Sequence, residues 1–318
     1  MIISKTPFRM SFIGGGTDRP EFYQNHQGAV ISTAIDKYVY ITVNTRFDSS
    51  IRVSYSKTET VAKLDELQHT RFREAMRMTK VTQGVEITSI ADVPAGTGLG
   101  SSSSFTVGAL NALAAYEGVS ISTKTLADCA CELEMDILKE PIGKQDQYAA
   151  AYGGLRKYLF NADGSVFIDP VILPEQRMRD FYESIMLFYV GGERKASDVL
   201  SAASVPDTRM RVLVDDFWNI LNTGDIRKLG EILDEGWETK KRTGSITNPQ
   251  VDELYEAARR AGAGGGKLLG AGGAGFLMLF CIPTYQREVR KKFWLEKGNP
   301  RWIPFKFEPE GSKIVHVD

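Results

Sequence analysis

The stretch Pro94-Ala95-Gly96-Thr97-Gly98-Leu99-Gly100-Ser101-Ser102-Ser103-Ser104 sets three glycines before four consecutive serines. Glycine removes the side chains that would keep a polyphosphate away from backbone amides. A helix beginning at the serines aims its unpaired N–H groups and its positive dipole end at the same anion. Serine oxygens can donate to phosphate or coordinate Mg²⁺, a hard cation that prefers oxygen. The segment therefore reads as a cradle for a chain of phosphates, since an ordinary helix cap needs one serine and not four.

Two further glycine-rich stretches flank it in the sequence, Gly14-Gly15-Gly16-Thr17-Asp18 and Gly270-Ala271-Gly272-Gly273-Ala274-Gly275. No Walker A motif occurs, because Gly266-Lys267 is followed by Leu268 and Gly143-Lys144 by Gln145. The last stretch satisfies G-x-G-x-x-G through Gly270, Gly272 and Gly275, but it runs into the strand-like Phe276–Cys281 and not into a helix, so a dinucleotide fold is not expected. Taken alone, the charged residues nearby have plain readings. Asp146 could complement a helix dipole, Glu134 could be a solvated helix-face acid, and Arg9 could be a surface ion-pair partner.

Elements must position these groups. Ala29–Val43, Ile51–Tyr55 and Val85–Ile90 are rich in β-branched residues and predict strands. Phe105, Val107, Leu110, Leu113 and Ala114 recur at helical spacing after the serines, and Leu126, Ala130, Leu133 and Ile137 mark a second helix that Pro141 must end. Gly143-Lys144-Gln145-Asp146 opens a third helix, and Asp163-Gly164 turns a hairpin between Leu155–Phe160 and Val166–Ile168. Later come a strand over Ile185–Val190, helical stretches over Asp198–Glu238, Pro249–Ala261 and Pro283–Lys297, and strand-like Ile303–Phe307 and Lys313–Val317. Helices interleave with antiparallel strands, which favours an α+β fold.

The chain has 318 residues, and single cores stop growing near ~250–300 residues, so two lobes with a cleft are expected, 1–170 and 171–318. With 39 Lys+Arg against 40 Asp+Glu there is no global attraction to nucleic acid or an anionic membrane, so any bound anion must be held locally. Cys129, Cys131 and Cys281 offer no disulfide framework, and His26, His69 and His316 show no zinc spacing and read as structural. No apolar run suits a signal peptide or a membrane span, which predicts a cytoplasmic protein.

In this order, the three glycine elements resemble the three signature motifs of the GHMP kinases. Pro7 to Asp18 resembles the first, Pro94 to Ser104 the second, P-x-x-x-G-L-G-S-S, and Lys267 to Phe276 the third. Gly143-Lys144-Gln145-Asp146-Gln147 is similar to the G-x-x-D-Q segment that carries the catalytic aspartate of galactokinases. The resemblance implies a two-lobed α+β fold, with an N-terminal lobe of the ribosomal protein S5 domain 2 type and a ferredoxin-like C-terminal lobe. It implies ATP and Mg²⁺ as cofactors, with Pro94, Gly96, Thr97, Gly98, Leu99, Gly100, Ser101, Ser102 and Ser103 around the nucleotide.

The resemblance further implies Asp146 as base, Arg9 as its cationic partner, and Ser102 with Glu134 as Mg²⁺ ligands, Ser103 and Glu132 standing as substitutes. Gly15, Gly16, Thr17, Asp18, Gly272 and Gly273 are implied at the substrate, Asp18 through sugar hydroxyls. Within the superfamily the first motif and Gly143–Gly154 most resemble the D-glycero-D-manno-heptose 7-phosphate kinases. The implied reaction phosphorylates the anomeric hydroxyl, toward a surface polysaccharide. A substrate that already carries phosphate needs a second anion site, for which Arg19, Lys144 and Arg194 are candidates. The expected partner is a small sugar phosphate, with no nucleic acid or membrane and with a homodimer left open. An L-fucokinase-like enzyme, another sugar 1-kinase and a non-catalytic regulator of the same fold are the alternatives.

Overall fold

The β-branched and aromatic run Gly28–Thr45 forms one long strand, β2, buried throughout its first half and alternating afterwards. In this computed structural model, which describes residues 1–192, 204–244, 246–270, 272–273, 275–295 and 300–318, the strand organises the main sheet. Ile2–Ile13, β1, pairs with it antiparallel along its length. On its other side β2 pairs first with Leu155–Phe160 (β6) and then with Val85–Ala91 (β5). Ile51–Ser54 (β3), Thr58–Val61 (β4), Val166–Pro170 (β7) and Lys313–Val317 (β12) complete eight strands. The expected hairpin at Asp163-Gly164 joins β6 to β7, and β3–β5 is the parallel pair. A second, antiparallel sheet is built from Ile185–Gly191 (β8), Gly265–Leu268 (β9), Gly275–Phe280 (β10) and Arg301–Trp302 (β11), in the order β11-β8-β10-β9.

The helices are Pro20–Tyr23 (α1), Thr70–Thr79 (α2), Ser101–Tyr116 (α3), Thr123–Cys131 (α4), Gln145–Tyr152 (α5), Glu175–Glu183 (α6), Arg209–Thr223 (α7), Leu229–Lys241 (α8), Pro249–Arg260 (α9) and Pro283–Leu295 (α10). α3 is apolar nearly all round and is buried against β1 and β2. Polar contacts fix its height on the sheet: the Ser4 hydroxyl donates to the Gly108 carbonyl at 2.8 Å and the Ser104 hydroxyl to the Pro7 carbonyl at 2.8 Å. The start of α3 is thereby set against the middle of β1.

Three expectations need correction. The helix through Leu126, Ala130 and Leu133 buries those residues, but it widens into a π-helix over Glu132–Ile137. The wider turn rotates Ile137 off the buried face, and it is 41% exposed. Ile303–Phe307 is not a strand. It crosses between the sheets, touching the first at one bridge between Phe307 and Ile35, and packs Phe305 and Phe307 against Tyr182. The end of the chain then returns as β12 to pair with β1, satisfying an edge of backbone donors and acceptors. A boundary at residue 170 therefore misplaces the last strand.

The main apolar core also runs through both halves of the chain, with Phe12 lying 5.1 Å from Phe181 and 6.1 Å from Phe217 between ring centroids. A smaller core around Phe188, Trp237, Leu254 and Phe293 lies within the second half. Among the described residues no helix is long and apolar enough to cross a membrane, and Cys129, Cys131 and Cys281 are unpaired thiols.

Candidate active site

A cleft of about 1060 Å³ opens between the first glycine stretch, the start of α3, the start of α5 and the last turn of α8. Single-ligand pockets span roughly 300–1,000 Å³, so this one has room for a nucleotide and an acceptor together. Pro94, Gly96, Gly98, Gly100, Ser101, Ser102 and Ser103 line it. Thr97 and Leu99 do not: the buried Thr97 hydroxyl donates to the Pro94 carbonyl at 2.9 Å, and Leu99 is packed into the core. The third glycine stretch serves a different purpose from phosphate binding. Gly98 (φ +90°) and Gly270 (φ +70°) lie back to back, and a Cβ on Gly98 would meet the Leu269 carbonyl at 2.4 Å. Those glycines exist so that two backbones can touch.

Arg9 and Asp146 meet over this loop. The Arg9 Nε donates to Asp146 Oδ1 at 2.7 Å and Nη2 to Oδ2 at 2.8 Å, a bidentate fork, while Nη1 donates to the Gly98 carbonyl at 2.6 Å. The Arg9 amide donates to the Leu99 carbonyl at 3.0 Å. Arg9 is buried and the Asp146 carboxylate is 27% exposed toward the cleft.

The first glycine stretch splits. Gly15, Gly16, Asp18 and Arg19 line the cleft, and Thr17 does not. Thr17 is fully buried, its hydroxyl shared between the Gly14 and Ala29 carbonyls at 2.8 Å each, so it closes a turn and is sealed from any substrate. The Asp18 carboxylate accepts from the Gly16 amide at 2.9 Å and from the Gln145 amide at 3.1 Å, bracing the first turn of α5. Burial, with the nearby Asp146 charge adding to it, raises its pKa above the ordinary carboxylate value. Lys144 points elsewhere: its ammonium donates to the Gly164 carbonyl at 2.5 Å and lies over the Tyr23 ring. Gly272 lines the cleft, whereas the Gly273 amide donates to the Ile246 carbonyl at 2.8 Å. Arg194 lies outside the described residues.

Of the two serines the resemblance implies for Mg²⁺, it is the substitute Ser103 and not Ser102 that is hydrogen-bonded to Glu134. Glu134 is fully buried, and its carboxylate is saturated by four donors: Oε1 accepts from Arg71 at 3.2 Å and Thr106 at 2.8 Å, Oε2 from Ser103 at 2.7 Å and Gln147 at 2.6 Å. Helical phase explains which serine arrives, since successive residues on α3 are ~100° apart and Ser103 faces inward while Ser102 is exposed in the cleft. The oxygens are of the right kind for Mg²⁺, and as arranged each Glu134 oxygen is taken by two donors, so the carboxylate braces three helices. Among the described residues no group of three or more His, Cys, Asp or Glu side chains gathers for a metal.

Other cleft residues carried no local sequence signal. At one end Tyr55, His69 and Phe105 form a half-buried aromatic wall, with His69 ring centroids 4.4 Å from Tyr55 and 5.1 Å from Phe105. His69 also caps α2, its Nδ1 accepting from the Phe72 amide, and burial with the nearby Arg71 charge pushes its pKa down to about 4, so it is neutral there. Lys240 and Lys267 line the cleft as well, and so do Ser11, Gln145 and Thr239. The Lys240 ammonium donates to the Gly270 carbonyl at 2.5 Å; burial and then Arg9 push its pKa down to about 8. The same causes, with Lys240 added, drive Lys267 well below the usual lysine value.

A glycine loop at a helix start, an Arg–Asp fork above it and a cleft with room for two ligands are the parts a phosphotransferase site needs. The profile of the GHMP kinases N-terminal domain matches residues 64–154 and that of the GHMP kinases C-terminal domain matches 217–292, together more than half of the chain. The chain belongs to the GHMP kinases, enzymes that pass phosphate from ATP to an alcohol. It is 29% identical to the D-glycero-alpha-D-manno-heptose 7-phosphate kinase of Campylobacter jejuni, over 99% of each chain. It is 24% identical to the L-fucokinase/L-fucose-1-P guanylyltransferase of Bacteroides fragilis, over 95% of this chain and 37% of that one. The crystal structure of a D-glycero-D-manno-heptose 1-phosphate kinase from Bacteroides thetaiotaomicron superposes with a TM-score of 0.82 at 25% identity, covering all of both chains. Galactokinase of Lactococcus lactis complexed with galactose shares the fold, with a TM-score of 0.77 at 18% identity, over 98% of this chain and 94% of that one.

Two measurements test this geometry. Glu134→Ala strands three buried donors, Ser103, Thr106 and Gln147, and its urea midpoint is expected to report a loss of ~3–5 kcal/mol, the usual consequence of removing one partner from a buried pair. An unchanged or raised midpoint would mean that the carboxylate is held ready for a cation and is not a brace. Lys240 supplies the second. Because its folded pKa lies below its unfolded value of 10.5, the unfolded chain binds more protons between about pH 8 and 10.5, so its charge destabilises the fold below pH 8 and ceases to do so as pH rises through that window. Lys240→Met is therefore expected to melt higher than the parent at pH 7, with the gap closing toward pH 10. A gap that is constant with pH would place Lys240 in solvent.

Proposed function

We propose that the chain transfers the γ-phosphoryl group of ATP to the anomeric hydroxyl of D-glycero-D-manno-heptose 7-phosphate, giving heptose 1,7-bisphosphate. The observation that carries the reading is the bidentate Arg9–Asp146 fork seated on the phosphate loop, in a chain that aligns end to end with the Campylobacter heptose 7-phosphate kinase. Phosphoryl transfer depends on positioning and charge neutralisation more than on covalent chemistry. In this reading the loop from Pro94 to Ser103 and the start of α3 hold the phosphates of ATP. The aromatic wall of Tyr55, His69 and Phe105 takes the base. Asp146 receives the proton of the attacking hydroxyl, and Arg9 fixes that carboxylate and offsets charge on the moving group.

Gly15, Gly16, Asp18 and Arg19 border the acceptor, and Asp18 keeps lone pairs for a sugar hydroxyl beyond its two backbone bonds. Mg²⁺ belongs to the proposal as the companion of the nucleotide, with the exposed Ser102 hydroxyl as the oxygen on this chain available to it. In organisation, residues 1–170 with the returning strand Lys313–Val317 form one unit and the remainder the other. A neutral acceptor such as L-fucose is disfavoured because it brings no charge to the cations of the cleft.

The direct test incubates the protein with ATP, Mg²⁺ and either heptose 7-phosphate or L-fucose, following ADP release and, by ³¹P NMR, a new anomeric phosphate. Equal efficiency on fucose, or no ADP release with either sugar, would reject the substrate. Asp146→Asn is expected to lower kcat by about 10²–10⁴-fold, the usual contribution of a general base, with the KM for ATP little changed. Undiminished turnover removes Asp146 from that role. Phe105→Ala is expected to raise the KM for ATP by about tenfold or more, since stacking a base on an aromatic ring contributes ~1–3 kcal/mol, and to spare the KM for the sugar. An effect on the sugar alone would move the base elsewhere.

A further inference from the structure

Among the described residues, two ammonium groups in the cleft have no carboxylate committed to them. Lys267, on β9, is 6% exposed, faces the cleft and makes no hydrogen bond or ion pair to a described residue. Lys240 has a neutral partner, the Gly270 carbonyl. Arg9 is spent on Asp146, and the carboxylates close enough to act on the lysines are Asp18 and Asp146. Arg9, Lys240 and Lys267 thus outnumber the acids around them. Burial of a cation without a counter-ion is costly, so such an arrangement is sustained where an anion is to be received.

An independent observation points to the same wall. Ser11, Arg19, Gln145 and Thr239 line the cleft and are more than nine-tenths buried, and Ser11 Oγ, Arg19 Nε, Gln145 Nε2 and Thr239 Oγ1 have no hydrogen-bond partner among the described residues. Thr239 precedes Lys240 and Gln145 precedes Asp146, and Ser11 Oγ and the Gln145 side-chain amide both lie against Gly15. Buried polar atoms are almost always paired, and a ligand rich in oxygen would pair these. The phosphates of the nucleotide already have the loop and the helix start. Lys240 and Lys267 come from the other half of the chain, and a neutral sugar would use the hydroxyls and amides but neither ammonium.

We propose that Lys240 and Lys267, with the hydroxyls of Thr239 and Ser11, form the subsite for the phosphate the acceptor already carries, and so select a sugar phosphate over the free sugar. The inference rests on the sugar-phosphate reading above. A dianion between the two lysines would also favour their charged form, against the burial that lowers the pKa of each.

The experiment compares the parent with Lys240→Met, Lys267→Met and Lys267→Arg, with both heptose 7-phosphate and unphosphorylated heptose as acceptors. Methionine fills the buried space without charge, and a thermal melt checks that each variant folds. Each methionine variant is expected to raise the KM for the sugar phosphate by about tenfold to a hundredfold, the loss of a charged hydrogen bond. It leaves the KM for ATP within about twofold and lowers the preference for the phosphorylated over the free sugar by about tenfold or more; Lys267→Arg regains part of the loss. A KM for ATP that rises in step, or a kcat that falls equally on both acceptors, would assign the lysines to the nucleotide or the moving phosphoryl group and overturn the inference. If the parent fails on heptose 7-phosphate, the heptose reading falls by itself. Calorimetric titration of parent and variants with inorganic phosphate then decides the subsite: binding lost in the methionine variants upholds it, and binding retained, or absent from the parent, sinks it.

Discussion

The arrangement of the cleft depends on one guanidinium. Arg9 stands in the middle of β1, its amide is bonded to the Leu99 carbonyl, and its three nitrogens span the Gly98 carbonyl and both oxygens of Asp146. A single side chain thereby sets the spacing between the sheet, the phosphate loop and the start of α5. Lysine could not do this, because it lacks the planar fork that holds a carboxylate at two points. The loop is shaped to admit it: a Cβ on Gly100 would press to 3.0 Å from the Arg9 Cγ, at a φ of +71° that favours glycine. Loss of Asp146 would leave a buried guanidinium without its counter-charge, which ties this geometry to the stability of the fold as well as to its chemistry.

Glu134 supplies a second fixed point, below the first. Its four donors come from α2, α3 and α5, so it holds the start of α3 through Ser103 and Thr106 and the start of α5 through Gln147. Arg71, one of those donors, also pairs with Glu140, in the segment between the π-helix and α5. Asp18 adds a third tie at the Gln145 amide. The two helix starts that flank the reacting centre are therefore each restrained at more than one point, which keeps a reacting geometry from wandering by the ångström that costs rate.

Local signals carried the strands, the serine-started helix and the glycine loop before it, because glycine, serine and β-branched residues act through their own backbone. Asp146 and Arg9 were found through motifs, although nothing local says that they form a fork. What stayed hidden depends on neighbours distant in sequence. Ser102 and Ser103 are equivalent by type, and only the location of Glu134 beneath α3 decides between them. Thr17 and Thr97 sit inside glycine loops, yet they turn inward to close those loops. Lys144 adjoins Asp146 but is captured by the Gly164 carbonyl across the β6–β7 hairpin. Tyr55, His69 and Phe105 make one wall from three elements, and Lys240, beside Lys241 at a helix end, has the sequence signature of a solvated charge. Ile137 left its face because a π-turn carries no simple periodicity, and Lys313–Val317 gave no hint that its partner would be the first strand of the chain.

The third glycine stretch links the two proposed anion sites. β9 carries Lys267, and two residues past its end Leu269 and Gly270 lie directly on Gly98, backbone against backbone, while Gly275 closes on Thr97 in the same manner. The same Gly270 carbonyl receives the Lys240 ammonium. The separation between the phosphate loop and the two lysines is therefore fixed by main-chain contact and not by flexible side chains. On the proposed assignment, the enzyme measures the distance between the phosphate being transferred and the one already on the sugar. An acceptor with its phosphate too near or too far from the attacking hydroxyl could meet the lysines or Asp146, but not both. Selectivity would then arise from rigid geometry acting on two charges, in a site where a neutral acceptor leaves one buried and one half-buried cation unanswered.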